Sequence, residues 1–156
     1  MNKKILTGTL FIVIIFTISM MFVNESYACY ETRPTYGISF VQAVCADNQA
    51  KKVAQIQASI SQDGDILTVN IRNAYPGYAG YVNFKIKNIG KKSLQIDRVT
   101  ITTYDTKALS VTKPSNLVGK YIKPGNTLDG QVKIELLNGA KQNWVYCFTI
   151  IIKASC

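Results

Sequence analysis

From residue 36 to the C-terminus, apolar and polar residues alternate with a period of two in short runs. That period places every second side chain on one face of an extended strand. The runs are "YGISFVQAV" (36–44), "VAQIQASI" (53–60), "ILTVNI" (66–71), "YVNFKIK" (81–87), "LQIDRVTIT" (94–102), "ALSVT" (108–112) and "QVKIELL" (131–137). In "YVNFKIK", Val82, Phe84 and Ile86 fall on one side, and Tyr81, Asn83, Lys85 and Lys87 on the other. The last run, "WVYCFTIIIK" (144–153), is apolar on both faces, the pattern of an inner strand. No convincing helix follows residue 29, although "DNQAKKVAQIQA" begins with a helix-like composition.

The breaks between runs carry turn chemistry. Asp63-Gly64 predicts a hairpin, because glycine accepts positive φ. Pro76-Gly77 predicts a type II turn, with proline presetting φ and glycine taking the left-handed position. Within "LQIDRVTIT", Leu94 and Ile96 share one parity while Val99 and Ile101 share the other. An extra residue at Asp97-Arg98, a bulge or a change of sheet, accounts for the switch. The chain also echoes itself: "PGYAGYVNFKIKN" (76–88) resembles "PGNTLDGQVKIELLN" (124–138). Each copy has a sharp reversal, a short loop with glycine, and then a strand in set register. About eight short antiparallel strands with regular turn signals predict an all-β, two-sheet sandwich, Ig-like or jelly-roll.

The N-terminus is different. Lys3 and Lys4 precede the apolar run "ILTGTLFIVIIFTISMMFV", and Ser26 and Ala28 flank Tyr27. This is the charged, apolar and small-x-small order of a secretory signal helix, with cleavage expected after Ala28. The expected domains are therefore a signal segment at 1–28 and a sandwich at 29–156. An uncleaved anchor is the rival reading, because the run approaches the roughly 20 residues that span a bilayer. A lipidated Cys29 is another, although Ser26 stands where a lipoprotein signal usually has leucine. Either way the domain is placed outside the cell, and the membrane concerns only this segment.

Export changes the meaning of the cysteines. Cys29, Cys45, Cys147 and Cys156 all follow the signal. An even number in an exported chain predicts two disulfides. A strand rises about 3.3 Å per residue, which puts Cys147 and Cys156 about 30 Å apart, beyond the roughly 4.4–6.8 Å that a bridge spans. This excludes Cys147–Cys156 and, with it, Cys29–Cys45. If the first segment runs antiparallel to the last strand, the pairs are Cys29–Cys156 with Cys45–Cys147, the preferred set. If it runs parallel, they are Cys29–Cys147 with Cys45–Cys156.

Residues 29–156 hold 16 Lys+Arg and 8 Asp+Glu, since Lys3, Lys4 and Glu25 fall in the signal and the whole chain has 18 and 9. The net charge of +8 is scattered along the strands, which reads as a solvated sheet face. A sharper reading is attraction to anionic cell-wall polymer or extracellular DNA, without specific nucleic-acid recognition.

The chain contains no histidine. That removes Ser-His-Asp and Cys-His catalysis in their usual forms, and the His-based zinc motifs. Asp63 and Asp65 are too few for calcium, which takes 6–8 oxygens. The other acids cannot be paired from sequence, and no catalytic residue, cofactor or metal is expected. Tyr75, Tyr78 and Tyr81 cluster at the Pro-Gly turn and form a candidate contact surface, either for sugar stacking or for a subunit contact. Trp144 is read as core or rim packing.

The stretch from Ile60 to Ile101 resembles exported β-sandwich proteins related to TasA and camelysin. These are bacterial surface and matrix-fibre proteins with archaeal pilus relatives. The matching features are Asp63-Gly64, Asn73-Ala74-Tyr75-Pro76-Gly77, the run 82–86 and Asn88-x-Gly90, with the closing strands after Tyr121 and Asn143. The long signal segment and the four cysteines depart from that pattern. The resemblance implies a jelly-roll, an extracellular place, and polymerisation by donation of an N-terminal strand. "YGISFVQAV" is apolar enough to add to an open sheet edge. Self-association through strand edges is the expected partnership. A monomeric binding module for anionic polymer or carbohydrate is the alternative.

Overall fold

A computed structural model describes residues 37–47, 54–114 and 116–156. The signal segment, Cys29 and the helix-like 48–53 lie outside these residues. The described chain forms nine strands and no helix: β1 (Ile38–Asp47), β2 (Gln55–Ile60), β3 (Ile66–Arg72), β4 (Ala79–Asn88), β5 (Leu94–Thr103), β6 (Leu109–Thr112), β7 (Tyr121–Ile122), β8 (Thr127–Leu136) and β9 (Val145–Ser155). They build two antiparallel sheets, β1-β4-β8-β6 and β2-β3-β9-β5-β7.

The core lies between the sheets and is filled by the alternating apolar positions. Val82, Phe84 and Ile86 of β4 and Val132, Ile134 and Leu136 of β8 come from one side. Leu67, Val69 and Ile71 of β3 and Tyr146, Phe148, Ile150 and Ile152 of β9 come from the other. Strand β9 is third in a sheet of five, and its opposite parity, Cys147, Thr149 and Ile151, is buried too. Its two apolar faces are those of an inner strand, as the sequence suggests.

The two Pro-Gly copies are partners in space. Strands β4 and β8 pair antiparallel with Val82 opposite Val132. Each copy opens with a type II turn: Tyr78 N donates to Tyr75 O at 3.0 Å, and Asn126 N to Lys123 O at 3.0 Å. Gly77 and Gly125 hold φ of 84° and 78°, a region open to glycine at little cost. Each turn then locks onto the far end of the other copy's strand. Gly77 N donates to Leu136 O at 2.8 Å, and Gly125 N donates to Asn88 O at 2.9 Å.

Asn88 is fully buried and extends this lock to the β4–β5 loop and to β7. Its Nδ2 donates to Lys92 O at 2.8 Å and to Ile122 O at 2.7 Å, while Oδ1 accepts from Gly90 N at 2.9 Å. A buried amide is tolerated because its donors and acceptor are used.

At β5 the parity switch is a bulge between Ile96 and Arg98. The chain stays in one sheet, and the extra residue returns Val99 to the same core that holds Leu94 and Ile96. Strand β8 begins earlier than its alternation, and β7 is too short for periodicity to reveal. Chain reversal between β2 and β3 is a longer turn than a two-residue hairpin. Gly64 N donates to Ser61 O, Ser61 N donates to Ile66 O, and Gly64 takes φ of 79°.

Two substitutions test this account. Asn88→Ala strands three backbone groups and is expected to cost about 3 kcal/mol in urea unfolding. A Cβ on Gly130 would stand 2.4 Å from the Phe84 ring, so Gly130→Ala is expected to cost about 1–3 kcal/mol. Unchanged midpoints would contradict the packing described.

Candidate functional site

The residues singled out for chemistry do not converge. Asp63 and Asp65 remain in the β2–β3 turn, where Ser61 Oγ accepts from Asp65 N at 3.1 Å and Ile66 N at 3.0 Å. A hydrogen bond from Ser61 lowers the Asp63 pKa. Burial and then the neighbouring Asp63 raise that of Asp65. Among the described residues no three His, Cys, Asp or Glu side chains gather as metal ligands.

The tyrosines do not form one platform. Tyr78 is completely buried in the core. Tyr75 meets it edge-on, with ring centroids 6.1 Å apart, and is half-buried. Tyr81 has the opposite parity to the core residues of β4 and lies on the outer face of the four-stranded sheet. Trp144 sits at the rim, with Lys141 Nζ 5.4 Å from its ring centroid.

The preferred disulfide set is not formed. Cys45 and Cys156 are free thiols, which excludes Cys45–Cys147, Cys29–Cys156 and the alternative Cys45–Cys156 here. The reason is topological. The preferred set needs the first and last strands to be neighbours, but β1 and β9 belong to different sheets. Cys147 points away from the core on the inner strand of one sheet, whereas Cys45 lies on the edge strand of the other. Cys147 itself is disulfide-bonded. Burial raises the Cys45 thiol pKa, offset in part by the backbone of Ala58, which favours the protonated, less nucleophilic form.

What remains is backbone. A strand edge presents unpaired N–H and C=O groups that template another strand, and proteins blunt such edges with bulges, charges, proline or short strands. The four-stranded sheet follows this rule. Its edge β1 is interrupted by a bulge between Phe40 and Gln42, and its other edge β6 has four residues. On its outer face the charges pair: Lys85 with Asp129 at 3.5 Å, and Lys133 with Glu135.

The five-stranded sheet is guarded on one side only. Edge strand β2, "QIQASI", has six residues and an unbroken register against β3, and β1 runs along its outer side, with Phe40 N donating to Gly64 O at 2.6 Å just beyond its end. On the opposite side, β7 pairs only with Leu94 and Gln95 of β5. Gly119 and Lys120 then satisfy Ile96. Beyond the bulge, Val99–Thr103 pairs with β9 on one side, and no described backbone group bonds it on the other. All five of these residues are β-branched, which suits an extended backbone.

The sequence singles out "YGISFVQAV" as the strand for edge addition, but its Ile38 and Phe40 are core residues of β1. The open edge at β5 is missed because a strand's lateral neighbours are set by topology. No protein-family model, no curated protein and no solved structure matches this chain.

Thiol accessibility checks the cysteine assignment. In the native, non-reduced protein, an alkylating reagent should label exposed Cys156 at once, half-buried Cys45 slowly, and Cys147 only after reduction. Rapid labelling of Cys147 without reductant would contradict it.

Proposed function

We propose that this chain is a non-enzymatic structural protein of the cell surface or extracellular matrix, a fibre subunit that assembles by β-strand addition. The observation that carries the reading is a sheet edge, Val99–Thr103 of β5, that carries no charge or proline and has no lateral partner among the described residues. A long, uncharged, regular edge favours association in a protein that must stay monomeric, and such proteins rarely keep one. The secretory pattern at 1–28 and the resemblance to TasA and camelysin proteins point the same way. So does the winding in which β4 and β8 pair in one sheet while their successors β5 and β9 pair in the other, as in a jelly-roll.

Donation of β1 is less favoured than addition at a free edge. Release of β1 would expose Ile38 and Phe40 and break its ladder with β4. The binding-module alternative draws less support, because Lys85 and Lys133 on the outer sheet face are already paired with acids.

Electron microscopy and sedimentation of secreted protein test the reading. Filaments growing with concentration are expected, with little change when salt is raised, because backbone pairing is not ionic. A protein that stays monomeric at high concentration, or that binds anionic polymer in a salt-sensitive manner without assembling, would overturn it.

A further inference from the structure

The outer face of the five-stranded sheet carries a buried strip that the core does not explain. On β9, Cys147, Thr149 and Ile151 alternate with the core residues and point away from the other sheet, yet they are only 9%, 3% and 5% exposed. Ile66 of β3 lies opposite Ile151, is 4% exposed, and is likewise outside the core. The second sheet packs on the opposite face, so it is not what covers this strip.

The cysteines identify the cover. The chain has four of them. Cys45 and Cys156 are free thiols and Cys147 is disulfide-bonded, which leaves Cys29. We propose that Cys29 and Cys147 form a disulfide that holds residues 29–36, "CYETRPTY", extended across the outer face of the five-stranded sheet. The inference goes beyond the fibre-subunit reading and does not depend on it.

Chain length fits this course. Gly37 lines one cavity with Leu94 and Cys156, at the opposite end of β9 from Cys147. From Cys147 to Cys156 the strand rises about 30 Å, at about 3.3 Å per residue. From Cys29 to Gly37 an extended chain covers about 26 Å, and a bridge adds roughly 4.4–6.8 Å between Cα atoms. The two spans match with little to spare. Wound as a helix, the same segment would rise only about 12 Å and fall short. Pro34 favours the extended form, because its ring fixes its own φ and keeps Arg33 out of the helical region. A segment drawn along β9 passes over Thr149 and Ile151, and Tyr30, Pro34 and Tyr36 supply apolar surface to set against Ile66 and Ile151.

The bridge forms by thiol–disulfide exchange. The two thiols give up two protons and two electrons, one S–S bond forms, and a disulfide-bearing oxidant met on export is reduced to a dithiol. Two consequences follow for the N-terminus. The Cys29 sulfur is no longer open to a lipid thioether. The segment is also tied to its own subunit and is not available to a neighbour as a donated strand.

Peptide mapping of the exported protein tests the bridge. Free thiols are alkylated in denaturant, and the chain is cut after Glu31 and after lysine without reduction. The expected product is a peptide containing Cys29 joined to one containing Cys147, with Cys45 and Cys156 alkylated. Cys147 joined to Cys45 or to Cys156, an alkylated Cys147, or a lipid on the Cys29 sulfur would overturn the proposal. Limited proteolysis tests the course. The folded, bridged protein is expected to resist cleavage after Glu31, and Cys29→Ser to be cut there promptly. Prompt cleavage after Glu31 in the bridged protein, or a Cys29→Ser variant just as resistant, would overturn the pinned placement on the sheet.

Discussion

The structure depends on one reciprocal constraint: two Pro-Gly turns, each bonded to the end of the strand that the other turn launches. Gly77 N reaches Leu136 O, and Gly125 N reaches Asn88 O. Strands β4 and β8 are thereby clamped at both ends with Val82 facing Val132. In a sheet with one buried face, register determines which side chains meet the core. Two turns that set register from opposite ends leave little freedom for slippage. Gly130 shows how closely the pair is fitted, because a Cβ there would strike the Phe84 ring.

Asn88 carries that constraint across to the second sheet. Its amide bonds the carbonyl of Ile122, and Ile122 pairs with Leu94 of β5. One buried polar side chain thus ties the end of β4 to the loop before β5 and to the short strand that starts the opposite edge. A satisfied polar network in a core specifies one arrangement, while apolar contacts alone tolerate several. Strand β7 stops after two residues, and the distal half of β5 has no lateral partner among the described residues.

The same scaffold disperses the side chains that could carry chemistry. Tyrosines 75, 78 and 81 are divided between core, half-buried packing and outer face. Cys45 is a half-buried thiol whose pKa burial raises, and the aspartates serve a turn. The four-stranded sheet is blunted by a bulge and a short strand and β2 is flanked by β1, whereas β5 beyond its bulge has no lateral partner among the described residues. In a sandwich already closed face to face, lateral backbone groups are what remains for association.

Local patterning was enough for the strands and their faces. Val82, Phe84 and Ile86 alternate because a strand is a period-two object, and the two apolar faces of "WVYCFTIIIK" mark an inner strand. The Pro-Gly turns and the bulge at Asp97 are equally local, since they depend on φ preferences and on parity along a few residues. Sheet membership is not local. Nothing in "YGISFVQAV" or "CFTIIIK" says that β1 and β9 lie in different sheets, so the preferred cysteine pairs fail once the strands are placed. Nor does "QIQASI" differ in sequence from a strand with two partners. Lateral neighbours come from long-range pairing energies summed over the whole chain, so only the tertiary structure decides which backbone edges are left open.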